Sequence, residues 1–255
     1  GLDAGTADYA FDRLSGDLYP SVMAGLAEDS HFFRDAVTAR FAGGIATAPL
    51  GDAEAGGRFN VWSHAYGAKG QLEDDGIGTL DRNTGGFTFG ADADLNETVT
   101  LGAMAGYGRS SFDLDGDSAD ADSYLIGAYG AARFDAFRLT FGGAYAFNSI
   151  DSRRSVDFSS FSDNLTASFD GSVGQIFAEA AYAFELGGGV LEPYLGLAQV
   201  HAETDGFTET GGVASLAVQD ANMNVTYMDI GLRAAKAFAL GERQARFTGE
   251  IGWGG

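Results

Sequence analysis

Long stretches of this chain alternate between large apolar and small or polar side chains with a period of two residues. In residues 137–148, FRLTFGGAYAFN, the Phe, Tyr and Leu residues all occupy odd positions. The same alternation recurs in residues 86–95, 174–184 and 227–238. Because successive side chains of a strand point to opposite faces of its sheet, this pattern predicts strands with one apolar face. Its repetition predicts that a sheet is the main element of the fold.

The composition narrows the kind of sheet. The 255 residues include 39 Gly, 20 Phe and 10 Tyr, and 45% of the chain is hydrophobic. Gly and Ala are frequent on the polar face of each strand, which suits the crowded polar interior of a barrel better than a freely solvated exterior. A soluble β-sandwich would also alternate, so it stays as the competing fold.

Several classes of protein are disfavoured by what the chain lacks. There is no Cys, which excludes a disulfide scaffold and Cys-based zinc sites. The formal net charge of −21 argues against a nucleic-acid partner, because phosphates would be repelled. No run of 18 apolar residues occurs, so we expect no transmembrane helix. Residues 1–9 lack the basic and apolar regions of a signal peptide, so we expect none there.

The connections between the strands alternate in length. Strands are predicted at about 59–71, 83–95, 98–112, 121–134, 137–154, 164–186, 190–206, 214–238 and 243–253. Short links are predicted near 96–97, 135–136, 187–189 and 239–242, and longer polar links near 72–82, 113–120, 155–163 and 207–213. Short turns at one end and longer loops at the other are typical of an outer-membrane barrel. The fold class predicted is therefore all-β, an antiparallel transmembrane β-barrel.

The alternation also assigns side chains to the two faces of this barrel. The aromatic face predicts lipid-facing or girdle residues, which are Phe87, Phe89, Tyr107, Phe141, Tyr145, Tyr182 and Phe184. The opposite face predicts polar residues that point into the lumen, which are Asp92, Asp94, Glu179, Asp229 and Arg233.

The residues before the first strand have a different period. Val22, Leu26, Phe33 and Val37 fall on one stripe of a helix over residues 20–41, since their spacing matches 3.6 residues per turn. Pro20 suits the first turn of that helix. Residues 6–18 also have helical spacing, and residues 42–58 are a Gly- and Ala-rich linker. We therefore divide the chain into a helical leader and linker, 1–58, and a barrel, 59–255.

Nine segments, in order, carry a resemblance to a known family. They are AFDRLSGDLYPS (10–21), VWSHAYG (61–67), GGFTFGADADL (85–95), LGAMAGYGRSSF (101–112), DSYLIGAYG (122–130), FAEAAYAFEL (177–186), LEPYLGLAQV (191–200), GFTETGG (206–212) and DIGLRA (229–234). In this order they resemble the C-terminal translocator β-domain of the classical autotransporters, which belong to type Va secretion. Members of that family have twelve strands and end in an aromatic residue. About nine strands are predicted here, so we expect that the barrel of 59–255 is truncated at its C-terminal end and does not close alone.

The resemblance implies a role for the leader. In the family, a helix before the first strand lies in the lumen and is linked to an exported passenger. The residues of this helix that we expect to matter are Pro20, Leu26, Phe33, Arg34, Val37 and Arg40. A buried charge needs a partner, so we expect Arg34 and Arg40 to meet inward acids such as Asp92, Asp94, Glu179 or Asp229. A helix packed outside the barrel is the alternative.

No catalytic motif is present. The sequence contains neither GxSxG, HExxH, a Walker A loop nor GxGxxG, and it has only three His. Residues 20–41 contain no Asn, which disfavours the self-cleavage at Asn that some autotransporters perform. The acidic segment 113–122 lacks the Gly and Glu that an EF-hand loop needs at its sixth and twelfth positions, so we expect an acidic surface loop. We expect no catalytic residue, no metal and no cofactor.

The resemblance therefore implies an outer-membrane translocator of a Gram-negative bacterium that anchors and exports an N-terminal passenger. Its expected partners are the lipid bilayer, lipopolysaccharide, the barrel assembly machinery and the covalently linked passenger. Two alternatives stay open: an outer-membrane porin or adhesin-like barrel without export, and a soluble secreted calcium-binding β-sandwich.

Overall fold

The computed structural model describes residues 14–42, 59–74, 78–158, 161–240 and 243–254. The linker and most of the predicted helix at 6–18 lie outside the described residues. The elements are α1 (Leu18–Asp29), α2 (His31–Phe41), β1 (Phe59–Asp74), β2 (Gly78–Asp94), β3 (Val99–Leu114), β4 (Asp117–Phe134), β5 (Phe137–Phe158), β6 (Phe161–Tyr182), β7 (Phe184–Leu186), β8 (Gly189–Thr204), β9 (Phe207–Thr208), β10 (Ala217–Val218), β11 (Ala221–Leu240) and β12 (Arg243–Gly254).

The long strands form one antiparallel sheet in the order of the chain, β1-β2-β3-β4-β5-β6-β8-β11-β12, with β7 beside β8. This path contains the nine strands that the sequence predicts. Within the described residues, β1 and β12 each have only one neighbouring strand. The sheet nevertheless curls, so that its two edge strands approach each other. His64 of β1 and Glu250 of β12 line the same cavity on the inner face.

The two faces of the sheet differ as the alternation predicts. In β5, Phe141 and Tyr145 are 38% and 42% exposed on the outer face, whereas Thr140 and Ile150 on the inner face are buried. Consecutive partners in the ladder, such as Phe141 with Gly130 and Ala178, keep this alternation in register across neighbouring strands. An apolar outer face and a filled inner face are the arrangement of a membrane barrel.

The predicted long links are mostly strand. The β3–β4 connection is only the Asp115–Gly116 turn, because the ladder continues through Asp113 and Ser118 to Leu114 and Asp117. Both turn residues have positive φ, 49° and 94°, which is the conformation of a two-residue Asp-Gly hairpin. Likewise, β1 and β2 extend to Asp74 and Gly78, and β5 and β6 extend to Phe158 and Phe161. The long-loop prediction is therefore wrong at 113–120 and too wide at 72–82 and 155–163.

The connection 205–220 between β8 and β11 is the long one among the described parts of the chain. It contains the short hairpin β9–β10. The sequence predicts a strand from residue 214, whereas β11 begins at Ala221. The reason is that Glu209 and Leu216 of this connection turn inward, where they pack against α1 and the sheet.

The helical segment is two helices and not one. It begins at Leu18 and breaks at Ser30, between α1 and α2. Neither helix of the described segment is long and apolar enough to cross a membrane.

The interior is less polar than the sequence predicts. The helices place apolar side chains inside the curled sheet, and apolar side chains of its inner face pack against them. Residues Leu18, Val22 and Leu26 of α1 form one buried cluster with the strands; their sheet partners are Phe112, Leu114, Ala119, Ala121, Ile150, Ala167, Phe169, Val173, Val200 and Ala202. A second cluster joins Phe33, Val37 and Phe41 of α2 to Trp62, Met104, Tyr129, Ala131, Phe177 and Ala198. Each large side chain buried in this way stabilises the docked helix by about 1.5–3 kcal/mol.

Candidate functional site: the helical segment on the inner face

The end of α2 is fixed by a buried carboxylate to the barrel wall, which is the antiparallel sheet that runs from β1 to β12. Asp92 of β2 is 1% exposed, and it accepts two hydrogen bonds from Arg40, each 3.0 Å long. Asn60 donates to the same carboxylate at 3.1 Å, and Tyr129 donates at 3.2 Å. Four donors on one buried carboxylate satisfy it fully, so the charge stabilises this docking geometry.

Two further arginines hold the last carbonyl of α2. Arg133 and Arg138 donate to the Phe41 carbonyl oxygen at 3.2 and 2.9 Å. The final carbonyls of a helix have no partner within the helix, and the C-terminal end of its dipole attracts cations. Residues of the wall therefore act as the cap of this helix.

Gln175 of β6 holds the break between the helices. Its Nε2 donates to the Ser30 carbonyl oxygen at 2.9 Å, and its Oε1 accepts from Arg34 at 2.9 Å. Arg34 also donates to the Ser30 hydroxyl at 3.0 Å. The wall thus adds hydrogen bonds to the backbone and to Arg34 at the junction of the two helices.

Glycines of the wall make room for aromatic rings. A Cβ on Gly127 would lie 2.5 Å from the ring of Phe33, and a Cβ on Gly90 would lie 2.3 Å from the ring of Trp62. Both distances are too short for any side chain. The close approach of these rings therefore requires Gly at these two positions.

The other end of the helical segment is covered by the connection 205–220. Glu209 pairs with Arg154 of β5 through hydrogen bonds of 2.9 and 2.7 Å, and both side chains are almost completely buried. Tyr19 of α1 donates a hydrogen bond to the same carboxylate. Phe207 stacks on Phe169 with ring centroids 4.0 Å apart.

The electrostatics of Glu209 follow from these contacts. Burial alone would raise the pKa of its carboxyl group. Hydrogen bonds from Arg154, Tyr19 and the Leu216 backbone N–H outweigh that effect, and they lower the pKa below its ordinary value. The pair is therefore charged at neutral pH and joins α1, β5 and the connection 205–220.

The structure brings together some of the expected partners and separates others. Arg40 meets Asp92, but Arg34 meets Gln175, and no carboxylate of the described residues accepts a hydrogen bond from it. Asp229 lines the same inner cavity as Arg34. Asp94 accepts from Thr100 at 2.6 Å and does not contact the helix through a hydrogen bond or ion pair.

Glu179 and Arg233 pair with each other across the wall. Two hydrogen bonds of 2.8 and 2.7 Å join their side chains. Arg138 lies 3.6 Å from Glu179 and 2.7 Å from Glu192. These charges form their ion pairs within the wall, and the helix contributes only the Phe41 carbonyl oxygen to Arg138 among the described residues.

The remaining predicted helix residues lie as follows. Leu26, Phe33 and Val37 are buried against the sheet, whereas Pro20 is exposed. The predicted outer residues are between 38% and 50% exposed; they are Phe87, Phe89, Phe141, Tyr145, Tyr182 and Phe184. Tyr107 is also on the outer face, is partly buried, and donates to Asp122 at 2.5 Å.

Sequence reasoning missed Gln175, Arg154 and Glu209. Arg154 and Gln175 sit on the inner face of the alternation, which is the one signal that could have selected them. Glu209 lies in a loop, and nothing in its neighbours predicts that it turns inward. Among the described residues, no group of three or more His, Cys, Asp or Glu side chains is placed to hold a metal ion.

Comparison with known proteins gives one consistent family. The family model of the autotransporter β-domain matches residues 61–255. Two extracellular serine proteases of Serratia marcescens are 32% and 31% identical over 248 residues, which is 94% of this chain. The chain spans only 23% of the length of these relatives.

Solved structures agree on the fold. The translocator domain of autotransporter NalP from Neisseria meningitidis has a TM-score of 0.72 at 18% identity, over 91% of this chain and 76% of that one. The β-domain of the Bordetella autotransporter BrkA has a TM-score of 0.57 at 18% identity, over 77% of this chain and 80% of that one. The translocator-domain family is not enzymatic, and its domains carry a covalently linked passenger. This chain belongs to the autotransporter β-domain family, and it is an outer-membrane translocator of type V secretion.

Proposed function

We propose that α1 and α2 together plug the lumen of the translocator and tether it to a passenger on the cell surface. The observation that carries this proposal is the direction of the helical segment. α1 begins beside the long connection 205–220, and α2 ends beside the short turns at 135–136 and 95–98. Outer-membrane barrels have their longer loops outside and their short turns in the periplasm. A chain that runs in this direction has everything N-terminal to α1 on the outside.

Two anchors support the plug. Arg40 and Asp92 hold the periplasmic end of the helical segment, and Tyr19 with Glu209 holds the outer end. Helix residues at these anchors and at the apolar clusters position the plug and do not act in catalysis. No metal or cofactor enters the proposed function.

Insertion of this wall into a bilayer needs further partners. The outer belt of aromatic residues faces lipid, and the polar ends of β3 to β6 extend to the level of lipopolysaccharide. Folding and insertion of the barrel is the task in which the barrel assembly machinery takes part. The leader of 1–58 and the barrel of 59–255 are the two functional units.

The passenger is the exported part of the whole protein. The Serratia relatives are named as extracellular serine proteases, but the similarity covers only 23% of their length. Export of a protein of that class is compatible with the tether, and the protease activity would lie outside this chain.

The plug is tested by charge reversal in the full-length gene product. Arg40→Asp alone and Asp92→Arg alone each place like charges together, so we expect a leaky barrel and cells that become sensitive to vancomycin. The double exchange restores the pair and resistance. Arg109→Asp, at an exposed outer-face pair with Asp120, is the matched control and leaves resistance unchanged. If both single variants fold and the cells stay resistant, the plug proposal is wrong.

Export is tested separately. An epitope placed N-terminal to α1 becomes accessible to antibody on intact cells if the direction of the helix is as proposed. An epitope that stays inside while the barrel is folded in the outer membrane favours a porin-like barrel without export.

A further inference from the structure

A small cavity with a mixed apolar and polar lining lies where α1 and α2 meet. Its volume is about 50 Å³, and its wall includes Asp29 and Ser30 of the helical segment with Ser110 and Asn148 of the sheet. The contacts of α1 and α2 on either side of it are dominated by apolar side chains. The joint thus places polar side chains between the two apolar clusters.

Two buried polar atoms at this cavity receive or donate no hydrogen bond among the described residues. Asn148 is 4% exposed, and its Oδ1 accepts from Ser123 at 2.6 Å. Its Nδ2 has no hydrogen-bond partner among the described residues. Asp29 accepts from Ser110 at 2.6 Å through Oδ2, whereas its Oδ1 lies 3.2 Å from the Arg82 guanidinium and receives no hydrogen bond from the described residues.

Native proteins pair nearly all buried donors and acceptors, either with each other or with ordered water. Asn148 offers a donor and Asp29 offers an acceptor at the same cavity. Other hydroxyl groups of the cavity wall, including those of Thr84 and Ser110, are already bonded to each other at 2.7 Å. No hydrogen bond joins Asn148 to Asp29 among the described residues, and both residues line the cavity, so a water molecule there can serve as the partner of each.

We infer that this cavity is a binding site for ordered water, which accepts a hydrogen bond from Asn148 Nδ2 and donates one to Asp29 Oδ1. One water needs roughly 10–15 Å³ of such space and two to four polar partners, and the cavity supplies both. The water completes the joint that Gln175 holds from the other side. The site goes beyond the proposed function, because it exists whether or not a passenger is exported.

Radiolytic hydroxyl labelling in H₂¹⁸O tests the site directly, since ordered internal water labels the side chains beside it. Phe33 lines the cavity and is 2% exposed, and Phe112 is fully buried in the apolar cluster around α1. Mass spectrometry of the folded full-length gene product in detergent gives the labelling rate of each ring. We expect Phe33 to take up ¹⁸O several-fold faster than Phe112. Equal rates would show a dry cavity and overturn the inference.

Asn148→Leu removes the donor and fills part of the cavity. We expect the rate at Phe33 to fall to that of Phe112 in this variant, while the rate at lipid-facing Phe141 stays unchanged. A rate at Phe33 that does not fall would also overturn the site. If this variant does not fold, the comparison of Phe33 with Phe112 in the unaltered protein still decides the question.

Discussion

Arg40 of the second helix and Asp92 of the second strand form a bidentate ion pair in which the carboxylate side chain is completely buried. Their positions are far apart in sequence, and the pair joins the end of the helical segment to the wall. Tyr129 and Asn60 donate further hydrogen bonds to the same carboxylate. Residues of three strands and one helix therefore meet at one buried charge.

Removing the cation from this pair leaves Asp92 buried with neutral donors only. We expect Arg40→Gln to lower the free energy of unfolding by about 3–5 kcal/mol, which is the usual cost of breaking a buried pair from one side. Arg40→Gln with Asp92→Asn costs less than the two single variants added together, because neither charge is then stranded. The temperature at which the folded band shifts in gel electrophoresis measures this. Additive effects would contradict the coupling.

Acid weakens the outer anchor. The pKa of Glu209 is lowered in the folded protein, so its contribution to stability is complete above the ordinary pKa of a Glu, about 4.3. That contribution is lost as the pH falls through the lower folded pKa. We expect the melting temperature to drop on acidification below about pH 4, and Glu209→Gln to show a smaller drop. Equal acid sensitivity in the two proteins would show that the pair with Arg154 does not govern this response.

Gly127 has no side chain, and this leaves the space that the ring of Phe33 occupies. Since an added Cβ would lie 2.5 Å from that ring, we expect Gly127→Ala to destabilise the docked helix by about 1–3 kcal/mol, as overpacking does. Limited trypsin digestion should then cut at Arg34 and Arg40 faster than in the unaltered protein. Gly174→Ala is the matched control, because its nearest neighbour would be an ordinary 3.5 Å away. Equal cleavage in the two variants would show that docking of the helix does not require Gly at position 127.

The outer face carries a lipid belt whose depth can be measured. Phe141→Arg places a charge among exposed aromatic and aliphatic side chains, and we expect it to cost about 2–4 kcal/mol in a bilayer. Ser149→Arg lies on the same face of the same strand, beside Asp122 and Asp170, and we expect it to be nearly neutral. Urea titration in liposomes measures both. Similar costs at the two positions would place both outside the hydrocarbon layer.

The sequence by itself determined the elements of the wall and the faces of its strands. A period of two over each strand leaves only one choice of which side chains point outward, because a shift of one residue would reverse both faces. The nine long strands and the belt at Phe87 and Tyr145 follow from local pattern, whereas the pairing of Arg40 with an inward acid was expected from the resemblance to the family. The order of the nine quoted sequence segments indicated the autotransporter family.

Only the tertiary structure decided where the chain turns and how the helical segment is held. The Asp115–Gly116 turn is a local signal, but its position depended on how far the ladder extends. The break at Ser30 depends on Gln175, which is distant in sequence, and the inward turn of Glu209 depends on Arg154 and Tyr19. Such contacts join residues separated by tens to more than a hundred positions. Their partners are set by the curl of the sheet around the helix, which no local period encodes.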